Sequence, residues 1–206
     1  MKKEVTITPV AFVRNDFKEK FGIPRQSGRA PSVRSAICFE RDFQDEAFFR
    51  EIEGFSHLWL IFDFSATREQ GYAPTVRPPR LGGNRRVGVF ASRSPFRPNH
   101  LGLSVVKLEE VRREKAGVTL VVSGARGGYA DEHKNERLEV EFPSELLDKI
   151  PQEKREGLIE CLADDPRPSY QDDPDRVYGM RFGNAEIRFR VIGNRLTVEE
   201  VTIYTE

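Results

Sequence analysis

The sequence has 206 residues, 38% hydrophobic and 32% charged, with 33 basic side chains against 33 acidic ones. This is the composition of a folded chain with one good core and room for a second small unit, and it excludes the disordered class. No apolar run approaches the roughly eighteen residues of a membrane-spanning helix, and Cys38 and Cys161 lack the spacing of a zinc site, so we expect no membrane, no metal and a reducing, cytoplasmic setting.

In chain order, "VTITPVAFVR" (5–14) alternates as a strand does, and without a small-residue cleavage site it is not a signal segment. Strand patterns recur at "SAICFE", "HLWLIFDFSA", "VGVFAS", "LSVVKLEEV" and "GVTLVVSGAR", punctuated by Gly and Pro. Between them, "DEAFFREIEGF" reads as a helix from Asp45 to Phe55, with Phe48, Phe49 and Ile52 on one face and Gly54 as its stop. Strands so spaced predict a mainly β fold, a closed or partly closed antiparallel β-barrel.

The periodicity turns helical near residue 135. In "FPSELLDKIPQEKREGLIECLADDP", Ser144 starts one helix and Pro151 opens another, whose stripe of Leu158, Ile159 and Leu162 is suited to pack on a small sheet. "RVYGMRFGNAEIRFRVIGNRLTVEEVTIYT" supplies three strands, with hairpin turns at Gly183-Asn184 and Gly193-Asn194. The expected division is a barrel domain over 1–135 and a small α+β domain over 136–206.

Charge is unevenly spread. No Asp or Glu lies between Gln70 and Leu108, whereas Arg77, Arg80, Arg85, Arg86, Arg93, Arg97 and Lys107 all do, and 131–175 holds 15 acidic against 6 basic residues. A basic face balanced by a solvated acidic one explains this, and so does a cationic site for a polyanion. In "ASRSPFRPNHLGLS" (91–104), Pro95 and Pro98 stiffen a loop that carries Arg93 and Arg97, which raises the question of what anion those arginines are held for. "YAPTVRPPRLGGNRRVG" has the glycines and arginines to hold phosphates, but lacks the spacing of a P-loop, and no dinucleotide fingerprint occurs. Of the histidines, His57 suits a structural hydrogen bond, His100 lies in the arginine loop and is the better ligand candidate, and His133 falls in a charged stretch. "DDPRPSYQDDPD" reads locally as a helix-ending loop, with Arg167 paired to a nearby carboxylate.

Together, "PRQSG", "FSHLWLIF", "PPRLGGNRRVGVFASRSPFRPNHLGLSVVKLEEV" and "DDPRPSY" resemble, in order and spacing, the TsaA-like family of tRNA methyltransferases over most of the chain. The resemblance implies a barrel that binds S-adenosylmethionine and methylates N6 of threonylcarbamoyladenosine, just 3′ of the anticodon, in a homodimer. By position, the family's cofactor contacts fall on Pro24, Arg25, Gln26, Ser65, Ala66, Arg93 and Leu103. The arginines Arg77, Arg80, Arg85, Arg86 and Arg97 are then candidates for tRNA phosphates.

The chain departs from the family twice. Ser65 and Ala66 stand where the family has a polar His-Gln pair, so hydrogen bonds there pass to the backbone or are lost. After "VTLVVSGA", where the family has Asp-Gly-Thr-Pro and Asp-Ile-Lys-Pro-Tyr, the chain runs through "RGG" to "YADEHKN", so either part of the active-site wall is missing or the sequence omits a loop. Methyl transfer by in-line displacement needs mostly positioning, with Asp131 and Tyr170 as candidate proton acceptors. The competing functions are an RNA-binding barrel without chemistry and a small-molecule methyltransferase.

Overall fold

A computed structural model describes residues 4–17, 23, 29–78, 85–115, 117–124, 137–167 and 173–205. Its first sheet is built from β1 (Ala11–Arg14), β2 (Arg34–Phe39), β3 (His57–Asp63), β6 (Leu101–Glu114) and β7 (Gly117–Ser123), in the order β1-β2-β7-β6-β3 with every neighbouring pair antiparallel. A short ladder of β4 (Thr75–Val76) and β5 (Val87–Gly88) stands beside it. Strand β6 alternates regularly at its start: Gly102, Ser104 and Val106 are buried, while Leu103, Val105 and Lys107 face outward. A register shift between Leu108 and Glu110 adds twist, and the sheet curls into a half-barrel that is open between β1 and β3 among the described residues. The mainly β, antiparallel expectation therefore holds.

Beneath this sheet, Ile37, Phe49, Val106, Val118, Leu120 and Val122 form the core. Burial of such side chains stabilises by about 1.5–3 kcal/mol each. The segment 45–55 supplies Phe49 but is not the expected helix. It forms two 3₁₀ turns, Glu46–Phe49 and Ile52–Gly54, separated where Glu51 adopts a left-handed φ of 63°. Tertiary packing decides this: Phe49 is drawn into edge contact with Phe39 at 4.7 Å between ring centroids, while Phe48 stays 63% exposed, so the three apolar residues do not share a buried face. Similarly, "VGVFAS" is strand only at Val87–Gly88 and then turns through Val89–Ala91, and the first strand begins at Ala11 rather than Val5.

The second core lies under a sheet of β8 (Glu139–Glu141), β9 (Tyr178–Phe182), β10 (Ala185–Ile192) and β11 (Arg195–Ile203), in the order β8-β11-β10-β9. The expected hairpins are present, with Gly183 and Gly193 both at φ 59°. Strand β8, too short to register as a pattern, adds a parallel edge to β11. Helices α1 (Ser144–Leu147) and α2 (Gln152–Ala163) lie between β8 and β9, with Pro151 at the cap position of α2 rather than inside its first turn. Leu158 and Leu162 are fully buried against Ile187, Phe189 and Leu196. Ala30 and Val33, from the amino-terminal half, belong to this core too, and Val33 packs on Gly157 so closely that an added Cβ would come within 3.0 Å of it.

Candidate cofactor and nucleic-acid site

Where β3 ends and β6 begins, several irregular segments meet. Asp63 lies opposite Leu101, and the Phe64 amide donates to the His100 carbonyl at 2.8 Å. The 3₁₀ turn Ser65–Gln70 follows, tightened by the buried Thr67 hydroxyl donating to the Phe64 carbonyl at 3.2 Å. Residues 72–76 and 89–100 are tied to each other, since Ala73 N–H donates to Phe96 and Val89 N–H to Pro74, both at 3.0 Å.

The arginine loop is stiffened by more than its prolines. The buried hydroxyls of Ser92 and Ser94 accept from the amides of Ser94 and Phe96, each at 3.2 Å. Arg97 donates through Nε to the Ser94 carbonyl at 3.2 Å and through Nη2 to the Ser92 carbonyl. His100 holds the Pro95 carbonyl at 3.0 Å through Nδ1, and because a carbonyl only accepts, Nδ1 carries the hydrogen. Asn99 and His100 both take left-handed φ values, 65° and 51°, at the reversal into β6. Arg97 and His100 therefore spend part of their polar capacity on the loop itself, a role that residue type alone does not reveal. Arg93 points to the exposed side.

Four of the seven cofactor positions expected from sequence are described, and they fall on this cluster of elements. Ser65 and Ala66 are exposed on the turn after β3, Arg93 is on the stiffened loop, and Leu103 is 59% exposed on β6 opposite Ile61. Close packing supports Leu103 from beneath: a Cβ on neighbouring Gly102 would lie 2.4 Å from the Phe62 ring, so only glycine lets the ring sit there. Pro24, Arg25 and Gln26 lie outside the described residues, as do Arg80, His133, Asp131 and Tyr170. Of the expected phosphate contacts, Arg77, Arg85 and Arg86 are exposed at the ends of the β4–β5 ladder, and Arg86 also donates to the Thr75 hydroxyl at 3.0 Å. Among the described residues no carboxylate pairs with any of the three.

Sequence reasoning passed over Asp63. Its Oδ2 meets Arg68 at 2.8 Å, but its Oδ1 is buried and accepts no hydrogen bond among the described residues. The available signal was a carboxylate closing an otherwise apolar strand, "HLWLIFD". The outer face of β3 and β6 was missed as well: Trp59, Ile61, Leu103 and Val105 form an exposed apolar strip, paired across the strands as Trp59 with Val105 and Ile61 with Leu103. Further along β6, the Ser123 hydroxyl, then Lys107 and Arg34, hold the Glu109 carboxyl below the ordinary carboxylate range. His57, exposed and bonded to the Ser56 hydroxyl at 3.0 Å, stands at the far end of the strip from Asp63.

The "DDPRPSY" segment, as far as it is described, works as the local reading expects. Arg167, 8% exposed, makes a two-pronged contact with Asp165 at 2.8 and 3.1 Å. Asp164 pairs with Arg29, and the Glu160 carboxylate accepts from the Ser32 amide and hydroxyl at 2.9 and 3.2 Å. The carboxyl end of α2 thus anchors the chain that leads into β2.

The profile of the tRNA-methyltransferase O N-terminal domain matches residues 12–126, and that of the TrmO C-terminal domain matches 135–203. The chain is 36% identical to the tRNA (adenine(37)-N6)-methyltransferase of Escherichia coli, over 88% of this chain and 91% of that protein. It is 34% identical to a putative S-adenosylmethionine-dependent methyltransferase, RcsF, of Pseudomonas aeruginosa, over 89% and 91%. The crystal structure of TrmO from Pseudomonas aeruginosa superposes with a TM-score of 0.74 at 27% identity, covering 97% of this chain and 100% of that one.

Proposed function

The chain belongs to the tRNA-methyltransferase O family, and on that premise we propose that it methylates N6 of threonylcarbamoyladenosine 37, beside the anticodon of tRNA, with S-adenosylmethionine as donor. The observation that carries the proposal is the likeness over nearly the whole chain to a tRNA (adenine(37)-N6)-methyltransferase, together with an arginine-rich cluster at the end of β3 and β6.

The cluster has the chemistry that the cofactor requires. S-adenosylmethionine combines a carboxylate, a set of N–H and O–H donors, a flat adenine and a sulfonium that tolerates no nearby cation. Arg93 suits the carboxylate, and the Ile61 and Leu103 surface suits the apolar part. Bound there, the cofactor supplies an electrophilic methyl group. The protein's own work is to orient the target nitrogen and to exclude water. Pro24, Arg25, Gln26, Ser65 and Ala66 complete the cofactor site in this reading, and Asp131 or Tyr170 accepts the proton that N6 loses.

Arg77, Arg80, Arg85 and Arg86 hold phosphates of the tRNA, a contact that orients without reading sequence, and Arg97 contributes with the donors left over from its loop bonds. The division of labour follows the two matched domains, split near residue 135. The active form is a homodimer in the cytoplasm, where a second copy covers the exposed Trp59 and Val105 beside the cofactor. Light scattering at low micromolar concentration is expected to give twice the 23.6 kDa chain mass, and a monomer mass counts against the dimer.

The deciding experiment is methyl transfer in vitro to tRNA with and without the threonylcarbamoyl group. Activity on the modified tRNA alone is the expected result. Transfer to free nucleosides would point to a small-molecule enzyme, and tRNA binding without any transfer would leave an RNA-binding barrel.

A further inference from the structure

We propose that Asp63 is a cofactor-binding residue whose carboxylate accepts a hydrogen bond from an N–H or O–H donor of S-adenosylmethionine on the outer face of β3 and β6. The inference rests on the methyltransferase reading above and adds a residue to its site.

Three observations converge on it. The first is the orphaned oxygen: Asp63 Oδ1 is buried without a hydrogen-bond partner among the described residues, although buried carboxylate oxygens are nearly always satisfied. A structural explanation through Arg68 does not account for this. That ion pair uses Oδ2, and the Arg68 side chain is 65% exposed, so the pair is screened by solvent and gives no reason to bury the other oxygen.

The second is position. Alternation along β3 places Trp59, Ile61 and Asp63 on one face, and cross-strand register places Leu101, Leu103 and Val105 opposite them. Asp63 therefore shares a face with Ile61 and Leu103, next to the turn that carries Ser65 and Ala66.

The third is chemical complementarity. S-adenosylmethionine offers its α-ammonium, its adenine amino group and its ribose hydroxyls as donors, and its single anion is a carboxylate that Asp63 would repel and Arg93 would attract. An acid and a base on adjoining segments divide the ligand between them. Where the family resemblance places a His-Gln pair, this chain has Ser65 and Ala66, and Ala66 has no side-chain hydrogen bond to give. Asp63, two residues before Ser65, brings a polar group to that corner.

Calorimetry on the full chain with S-adenosylmethionine tests this, using Asp63→Asn, which keeps the shape and removes the charge, and Asp63→Val, which removes both. We expect about tenfold weaker binding for Asp63→Asn and a larger loss for Asp63→Val. The thermal midpoint of the ligand-free protein separates a binding residue from a structural one. Asp63→Val should melt no lower than the parent chain, because it deletes an unsatisfied acceptor and adds a residue that favours strands. A lowered midpoint with unchanged affinity would make Asp63 a structural residue and overturn the inference. So would unchanged affinity in both variants.

Two analogues locate the donor. If Asp63→Asn weakens 5′-methylthioadenosine as much as S-adenosylmethionine, the donor is on the nucleoside; if only S-adenosylmethionine is affected, it is the ammonium. Failure of the parent chain to bind S-adenosylmethionine would instead defeat the methyltransferase reading itself.

Discussion

The outer faces of the two larger sheets treat their polar groups in opposite ways. The outer face of the carboxyl-terminal sheet is a ladder of mutually neutralised charges: Arg188 pairs with Glu186 at 3.5 Å and Glu200 at 3.7 Å, Arg190 with Glu199 at 3.0 Å, and the Tyr204 hydroxyl donates to Glu186. Among the described residues, the β4–β5 ladder leaves Arg77 and Arg85 without a carboxylate partner, and the first sheet beside it orphans one oxygen of Asp63 and exposes Trp59 and Ile61 at 70% each. The first arrangement closes on itself. The second has valences left over, and a folded chain tolerates those where a ligand or partner meets them.

Three sets of variants test that contrast. The largest effect belongs to the closed unit. Phe189 is fully buried in the second core, stacked on Tyr178 at 5.8 Å, and Phe189→Ala should cost about 3–5 kcal/mol, read as a lower midpoint in chemical denaturation. Because the core also contains Ala30 and Val33, the loss should reach the chain entering β2 and not stop at the carboxyl-terminal sheet. Hydrogen exchange in β2 that stays as slow as in the parent would separate the two halves instead.

Next come the arginines of the open unit. Arg93→Ala should weaken S-adenosylmethionine by about 1.5–3 kcal/mol and leave tRNA affinity nearly unchanged, as measured by calorimetry and filter binding. Replacing Arg85 and Arg86 together with Ala should leave the cofactor bound as before and reduce the salt slope of tRNA binding by about two units. Should Arg93→Ala also lower the salt slope and spare the cofactor, the loop would be one more phosphate clamp.

The smallest effect is expected where charges are already neutralised. Arg190→Ala removes an ion pair whose partners are 33% and 39% exposed and should change stability by no more than about 1 kcal/mol, with no change in the salt slope. A loss of tRNA binding comparable to the Arg85 and Arg86 variant would erase the distinction between the two faces.

Legibility in the sequence followed the range of the interactions. The hairpins at Gly183 and Gly193 and the long strands β6 and β11 were readable because turn chemistry and a period of two are local signals. The helix expected over 45–55 failed because Phe49 had a partner, Phe39, that only the assembled sheet supplies, and the backbone breaks at Glu51 with a left-handed φ. In the candidate site, Arg93 and Leu103 were expected from resemblance to a family motif. The internal duty of Arg97 and the orphaned oxygen of Asp63 were not, since both depend on which carbonyls and which strand face lie within reach.

By itself, the sequence determined the β class, the turn positions, the family, and the acid-free stretch between Gln70 and Leu108, since residue type, spacing and charge belong to the chain before it folds. The tertiary structure alone decided that Asp63 shares a face with Ile61 and Leu103, that Ala30 and Val33 join a core more than a hundred residues away, and that Arg97 turns back on its own loop. Burial and hydrogen-bond satisfaction are properties of pairs brought together by folding, and strand register, which sets those pairs, is fixed by the packing of the whole sheet.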